Sequence, residues 1–399
     1  MKAAYIVDIL RTPVGRYGGA LSSVRPDDMA AATIKALVLR NPSLPADAIE
    51  DVILGAANQS GEDNRNVARM AALLAGLPIS VAGVTVNRLC ASGLQSIADA
   101  ARAISCGDGD AYIAGGTESM SRAPFVMPKA ETAFGRSPEI FDTTMGWRFI
   151  NPALSALYYP YTMGETAENV AEKYNISRDE QDAFALTSQT RYSEAEAAGK
   201  FAGERISVQI PQKKGEALIV NKDEHPRATS MEALGRLQGA FKKGGSVTAG
   251  NSSGINDGAA TALLVSETAI QNYNLSPMAR VVSVAFAGLD PAYMGMGPVP
   301  AVNKALKRAG LNVRDIGLWE LNEAFASQSV ACMRELGLDP ATVNVNGGSI
   351  AIGHPLGASG TRISATLLHE MKRRGTKYGV ATMCIGVGQG AAIVYELAC

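Results

Sequence analysis

Two stretches of this chain run through the same order of elements far apart, and that repetition limits the fold more than any other feature. Residues 34–56, IKALVLRNPSLPADAIEDVILGA, read as a helix, a short loop, an acidic-start helix or turn, and a strand. Residues 303–324, NKALKRAGLNVRDIGLWELNEA, repeat that order with weak identity. Two further matches follow. A β-branched strand at 84–86 leads through Cys90 into a helix whose residues Leu94, Ile97, Ala98, Ala101 and Ile104 recur at helical spacing. Its counterpart is a strand at 343–345, the loop GGSIAIGHPLGASG around His354, and another helix. A strand ending at Gly115-Gly116 answers one ending at Cys384. Such self-similarity implies a duplicated α/β domain. Sites in α/β folds lie at the carboxyl ends of strands, and Cys90, Asn322, His354 and Cys384 all fall just beyond predicted strand ends.

The other predicted strands are 3–8, 52–56, 280–287, 316–321, 378–383 and 391–396. Predicted helices are 29–39, capped by Asp27-Asp28, then 66–75 and 302–309. The turn-rich stretch AGNSSGINDGAA, 249–260, is expected to enter a helix. From about 120 to 248 the alternation stops. Five prolines and three tyrosines crowd residues 124–161, charged amphipathic helices follow near 166–174 and 177–197, and polar strand-like pieces run from 206 to 220. No Gly/Ser run isolates this segment. The expected organisation is an N-terminal half, 1–120, completed by about 249–272, an inserted loop domain, 121–248, and a C-terminal half, 273–399.

With 399 residues, 47% of them hydrophobic, the chain can bury a large core. A formal net charge of −1 gives no support to a nucleic-acid or anionic-membrane surface. No apolar run approaches the roughly 20 residues that span a bilayer, and the N-terminus reads as a strand rather than a signal peptide. The five cysteines are scattered and odd in number, without Cys-x-x-Cys, beside only three histidines. No disulfide framework or metal site is expected, and a cytoplasmic setting is.

Cys90 precedes a helix, where unpaired N–H groups favour thiolate, the attacking form. His354 precedes Pro355 among closely spaced glycines, where a histidine can take a proton from a thiol. Cys384 opens CIGVGQG, again a cysteine running into glycines. The plain reading of both cysteines is core packing, and of His354 a satisfied turn. Spacing alone does not bring the three together.

The segments VNRLCASGLQS, GGTESMSRAP, MGETAEN, TAGNSSGINDGAA, LNEAFA, NGGSIAIGHPLGASG and MCIGVGQG stand in family order along nearly the whole chain. On them the chain resembles a thiolase, the acetyl-CoA acyltransferase family. The resemblance implies a duplicated, thiolase-like αβαβα layered fold with an inserted loop domain, a homodimer or homotetramer, coenzyme A as substrate, and no permanently bound cofactor. It implies Cys90 as nucleophile, His354 as its base, and Cys384 as acid/base. His354 with a water on Asn322, and the N–H groups of Cys90 and Gly386, would serve as two oxyanion sites. It places Ser253 near the pantetheine and Arg227 near the nucleotide, with Met163, Phe241, Met294, Ala324 and Phe325 lining an apolar channel. Plain readings of these are a turn for Ser253, a solvated charge for Arg227, and core for the rest.

Two positions depart from the pattern. Thr162 stands where acetoacetyl-type thiolases carry His, and Val387 replaces a usual glycine. RTPVGRYGGALSSVRPDD, GEDNRNVARMAALLAGLP, DTTMGWRF and QDAFALTSQTR look most like the 3-oxoadipyl-CoA thiolases of aromatic degradation. A dicarboxylic acyl chain needs a polar cap, and Arg148 is the candidate. The alternatives are a biosynthetic acetoacetyl-CoA thiolase, a decarboxylating ketoacyl synthase, and a non-catalytic acyl-CoA binder. His225 and His369 lie in charged surroundings, which argues against the synthase's second histidine.

Overall fold

The structure, a computed structural model, describes residues 2–398. Its N-terminal part runs β1 (Ala4–Arg11), β2 (Gly15–Arg16), α1 (Pro26–Arg40), β3 (Asp51–Gly55), α2 (Val67–Leu74), β4 (Ala82–Val86), α3 (Ser92–Cys106) and β5 (Ala111–Ser119). Two small hairpins follow, β6 (Phe125–Val126) with β7 (Phe141–Asp142) and β8 (Val208–Ile210) with β9 (Leu218–Val220). Around them lie α4 (Pro152–Leu157), α5 (Met163–Lys173), α6 (Arg178–Ala197) and α7 (Met231–Gly235). The chain continues with β10 (Asn256–Ser266), α8 (Glu267–Tyr273), β11 (Ala279–Gly288), α9 (Pro298–Ala309), β12 (Leu318–Leu321), α10 (Ala326–Leu336), α11 (Ser349–Ile352), α12 (Leu356–Arg374), β13 (Tyr378–Ile385) and β14 (Gln389–Leu397).

Among the described residues one sheet has the order β12-β13-β14-β11-β1-β10-β5-β3-β4, with β2 added to β10. Its halves share a pairing scheme. β3 is parallel to β5, β5 antiparallel to β10, and β10 antiparallel to β1. Likewise β12 is parallel to β13, β13 antiparallel to β14, and β14 antiparallel to β11. A short β1–β11 pairing joins them. The acidic-start element of each half is a single 3-10 turn, Ala46–Ala48 and Val313–Asp315.

Three cores define the layers. Met29 and Ile34 of α1 and Ala68 of α2 pack on Leu10, Leu54 and Leu263. Leu94 and Ile97 of α3 lie with Ile363 and Leu367 of α12, among Ile6, Ile53, Met383 and Ile393. Val302 of α9 and Ala331 of α10 cover Trp319, Val380 and Val394. The result is helix, sheet, helix, sheet, helix: the expected αβαβα order. The middle helices meet at glycines. A Cβ on Gly360 would sit 2.3 Å from the Leu94 nitrogen, so only bare backbone fits there.

Three expectations fail. Residues from 256 on form strand β10, not a helix. All eleven of its residues are buried between β1 and β5, so no polar alternation marks it, and its Ala and Leu content favours helix until the sheet claims both edges. The strand at 343–345 is one parallel bridge, Val343 to Trp319. Asp27 and Asp28 do not cap α1. Arg25 holds that position, and both acids lie in the first turn, where they meet the positive end of the helix dipole. By contrast Ser177 caps α6 in a reciprocal box with Glu180, as the S-x-x-E spacing suits. No described helix is long and apolar enough to cross a membrane.

Candidate active site

Each half delivers its chemistry at the mouth of a middle helix. Cys90 sits two residues before α3 on a turn forced by Leu89, whose φ is +47°. Arg88, beside it, donates to Gln389 across the halves at 3.0 Å. His354 lies between α11 and α12, as Pro355 requires. Its backbone N–H donates to Asn256 Oδ1 at 2.9 Å. Gly353, with φ +113°, makes that possible, since a Cβ there would strike the same amide at 2.6 Å. Asn322 directly follows β12, and Cys384 lies inside the end of β13 rather than beyond it.

Cys90, Gly386 and Cys384 share one space. The Cys90 thiol takes a hydrogen bond from the Gly386 N–H, and a Cys90 charge is among the causes that raise the Cys384 pKa. A Cβ on Gly386 would lie 3.2 Å from Leu89 and 3.5 Å from Met163. Burial pushes Cys90 up to about 11, with its own and the Gly386 N–H groups pulling the other way and Glu118 adding to the rise. The easy ionisation expected at a helix N-terminus is therefore not the resting state, because packing outweighs the dipole. Burial holds Cys384 well above the ordinary thiol value. His354 is pushed down to about 3, by burial first and the Arg362 charge second. At neutral pH all three are uncharged.

His354 Nε2 lies 3.5 Å from Asn322 Nδ2, and its Nδ1 2.5 Å from Ser359 Oγ. The Ser359 hydroxyl donates to the Pro355 carbonyl at 2.8 Å, so its oxygen must accept from Nδ1–H. Nε2 then carries a lone pair, the form a proton acceptor needs.

The expected channel residues also converge. Met294, Ala324, Phe325 and Cys384 form one buried cluster with Met163 and Phe241 against it. Phe241 meets Phe325 edge-on at 6.1 Å. Ser253 donates its N–H to the Ala324 carbonyl at 2.9 Å, which ties its loop to this cluster. Arg227 is exposed, and its guanidinium holds the Ala249 carbonyl at 2.7 Å, at the start of that loop. Arg148 is half-buried, next to Trp147, whose indole donates to the Tyr161 carbonyl at 2.9 Å, two residues before Met163.

Sequence reading did not single out four residues that the structure brings here. Glu118 accepts the N–H groups of Ala57, Asn58 and Gly357 at 2.9–3.1 Å, and burial pushes its pKa up to about 7. It clamps the His354 loop to the other half. Asn256 holds the His354 backbone. Ser349 contacts Asn322 at 2.6 Å. His225, set aside for its charged neighbours, packs on Gly254, and its buried Nε2 has no protein partner. For Glu118, Asn256 and Ser349 the only sequence signal was membership of the Gly- and Ser-rich motifs, and the charged stretch around His225 gave none.

Two thiols that share one space with the Gly386 amide, and a neutral imidazole with a bare Nε2, are the groups that acyl transfer through a cysteine uses. Two family descriptions match this chain, "Thiolase, N-terminal domain" over residues 4–268 and "Thiolase, C-terminal domain" over residues 275–397. The chain belongs to the thiolase family and is an acyltransferase. It is 56% identical over 399 residues to a beta-ketoadipyl-CoA thiolase of Acinetobacter baylyi, covering 99% of this chain and 100% of that one. Identity and coverage are the same for the 3-oxoadipyl-CoA/3-oxo-5,6-dehydrosuberyl-CoA thiolase of Escherichia coli. Human mitochondrial 3-ketoacyl-CoA thiolase in complex with CoA superposes with TM-score 0.92 at 40% identity, covering 100% of this chain and 98% of that one.

Proposed function

We propose that this thiolase cleaves 3-oxoadipyl-CoA with coenzyme A to acetyl-CoA and succinyl-CoA. The observation that carries this is full-length identity of 56% to relatives named for that substrate. Cys90 gives its proton to His354 Nε2 and attacks C3. The C2–C3 bond breaks, leaving succinyl-Cys90 and the acetyl-CoA enolate, which takes the Cys384 proton at C2. Coenzyme A then attacks the thioester and its thiol proton goes to Cys384; the Cys90–acyl bond breaks, succinyl-CoA leaves, and the Cys90 sulfur recovers its proton from His354. The acyl group stays activated throughout. His354 with Asn322, and the N–H groups of Cys90 and Gly386, stabilise the two oxyanions, each donor being worth about 3–4 kcal/mol of barrier. The cluster around Phe325 takes the pantetheine arm, Ser253 its amide, and Arg227 the nucleotide end.

Thr162 supports a substrate longer than acetoacetyl-CoA. Its hydroxyl closes a capping box with Glu165 at the entrance of α5, where a His would project further. Arg148 pairs with the distal carboxylate. The Trp147–Tyr161 link supports this by holding its loop beside α5. A charged hydrogen bond of about 1.5–3 kcal/mol predicts that Arg148→Ala lowers kcat/KM for 3-oxoadipyl-CoA by roughly 10- to 100-fold. Acetoacetyl-CoA turnover should change little, and equal losses refute the assignment. Direct comparison of both substrates and a long-chain 3-oxoacyl-CoA tests the reading as a whole. A preference for acetoacetyl-CoA would favour the biosynthetic alternative. The exposed Phe125, Phe134, Leu157 and Tyr159 in the segment between β5 and α5 support self-association as a homodimer or homotetramer.

A further inference from the structure

Behind Asn322 lies a run of hydrogen bonds whose directions are all fixed. Arg362 of α12 is fully buried, and its Nη2 lies 2.5 Å from Ser349 Oγ. Ser349 Oγ lies 2.6 Å from Asn322 Oδ1. Asn322 Nδ2 faces His354 Nε2 at 3.5 Å. A guanidinium only donates, so the Ser349 oxygen accepts from it. The single Ser349 proton then goes to Asn322, which turns the amide oxygen toward Ser349 and the amide NH2 toward the imidazole. Reversing the amide would leave a buried hydroxyl proton with no acceptor, a cost of about 1–3 kcal/mol. An NH2 facing Nε2 demands a lone pair there. The Ser359–Pro355 side of the ring, approached independently, demands the same tautomer.

We propose that Ser349 and Arg362 are positioning residues that orient the Asn322 amide and thereby keep His354 in the tautomer with a bare Nε2. The inference rests on His354 being the proton acceptor. Arg362 suits the task because nothing else claims that N–H. Its Nη1 faces the Glu320 carboxylate at 3.8 Å, too far for a hydrogen bond, and neither Nε nor Nη1 has a hydrogen-bond partner. Ser349 suits it because a side chain with one proton and an accepting oxygen passes polarity in one direction only. Alanine would keep the packing and lose the direction.

The test is ¹⁵N NMR of the histidine rings in the full-length enzyme, with kinetics alongside. The chain has three histidines, so replacing His225 and His369 singly assigns the His354 signals. Wild type should show protonated Nδ1 and bare Nε2. Ser349→Ala should add a detectable minor share of the opposite tautomer, against the Ser359 hold that remains, and lower kcat about tenfold with KM within twofold, and Ser349→Thr, which keeps the hydroxyl, should restore both. Asn322→Asp cannot donate and should drive Nε2 to the protonated form even if Ser349→Ala folds poorly. An unchanged His354 spectrum in folded Ser349→Ala overturns the proposal, as does a kcat loss without a tautomer change. The ring signals need no turnover, so this failure is distinct from failure of the catalytic reading, which His354→Gln with full activity would signal.

Discussion

The two thiols of the pocket are chemically alike and set in different surroundings. Cys90 is half-buried on a loop before a helix and receives the Gly386 N–H. Cys384 is 2% exposed, lies on a strand, and packs with Met294 and Phe325. In the proposed reaction the sulfur that becomes an anion, Cys90, needs donors and an opening. One that must lend and recover a proton is best kept protonated in apolar packing. On the proposed mechanism, the loop setting suits Cys90 to the first task and the strand setting suits Cys384 to the second.

Removing either sulfur should sharpen that contrast most. Cys90→Ala should abolish C–C cleavage and also exchange of succinyl groups between succinyl-CoA and labelled CoA, each by roughly 10⁴-fold or more. Cys384→Ala should abolish cleavage to a similar extent yet keep exchange within about tenfold, because exchange needs only the Cys90 thioester. Equal loss of exchange in both variants breaks the comparison. Next in size, His354→Gln should slow exchange by about 10²–10⁴-fold as a lost general base. Asn322→Ala should slow it by about 10²–10³-fold as a lost oxyanion donor.

A smaller effect checks the charge state. With Cys90 pushed up to about 11 and His354 down to about 3, the resting pair is thiol and neutral imidazole. Below its pKa a thiol gains thiolate about tenfold per pH unit. Alkylation of Cys90 by iodoacetamide, followed by peptide mass spectrometry to separate it from exposed Cys106, should therefore climb steadily from pH 7 to 10. No acid limb from His354 should appear above about pH 4. A plateau beginning near pH 6 would show a thiolate–imidazolium pair and reverse the electrostatic order of the two groups.

Much of this was readable from the residues. The repeated order of helix, turn and strand survives as matching pairing schemes, because helix periodicity and short β-branched runs are local signals. The pairing of β10 was not readable. An Ala-rich strand buried on both faces carries no alternation, and only its neighbours β1 and β5 explain it. The site residues were named through motifs, but their protonation was misjudged at Cys90. A helix start is visible in sequence, whereas the burial that raises the Cys90 pKa exists only once the chain is folded around it. Ser349 and Arg362 looked like ordinary members of a Gly-rich loop and a helix. Their meaning appears only when α11 and α12 are set beside β12.

The two loops also share a strain. Leu89, before Cys90, has φ +47°, and Val387, after Gly386, has φ +62°. Both turn the backbone so that an amide N–H faces the pocket, and neither side chain favours that region. A left-handed residue costs about 1–2 kcal/mol, most for a β-branched side chain. Val387→Gly removes this cost but adds about 0.5–1 kcal/mol of unfolded-state entropy. The net gain should be small, about 0.5–1 kcal/mol, seen as a higher denaturant midpoint with unchanged slope. Val387 is 40% exposed, so little packing is lost. Leu89→Gly should gain less, because Leu89 packs against the central core beside Cys90 and loses that contact. If Val387→Gly instead destabilises the protein while slowing cleavage, the valine holds the Gly386 amide in place, and the hairpin then serves the reaction as directly as the loop that carries Cys90.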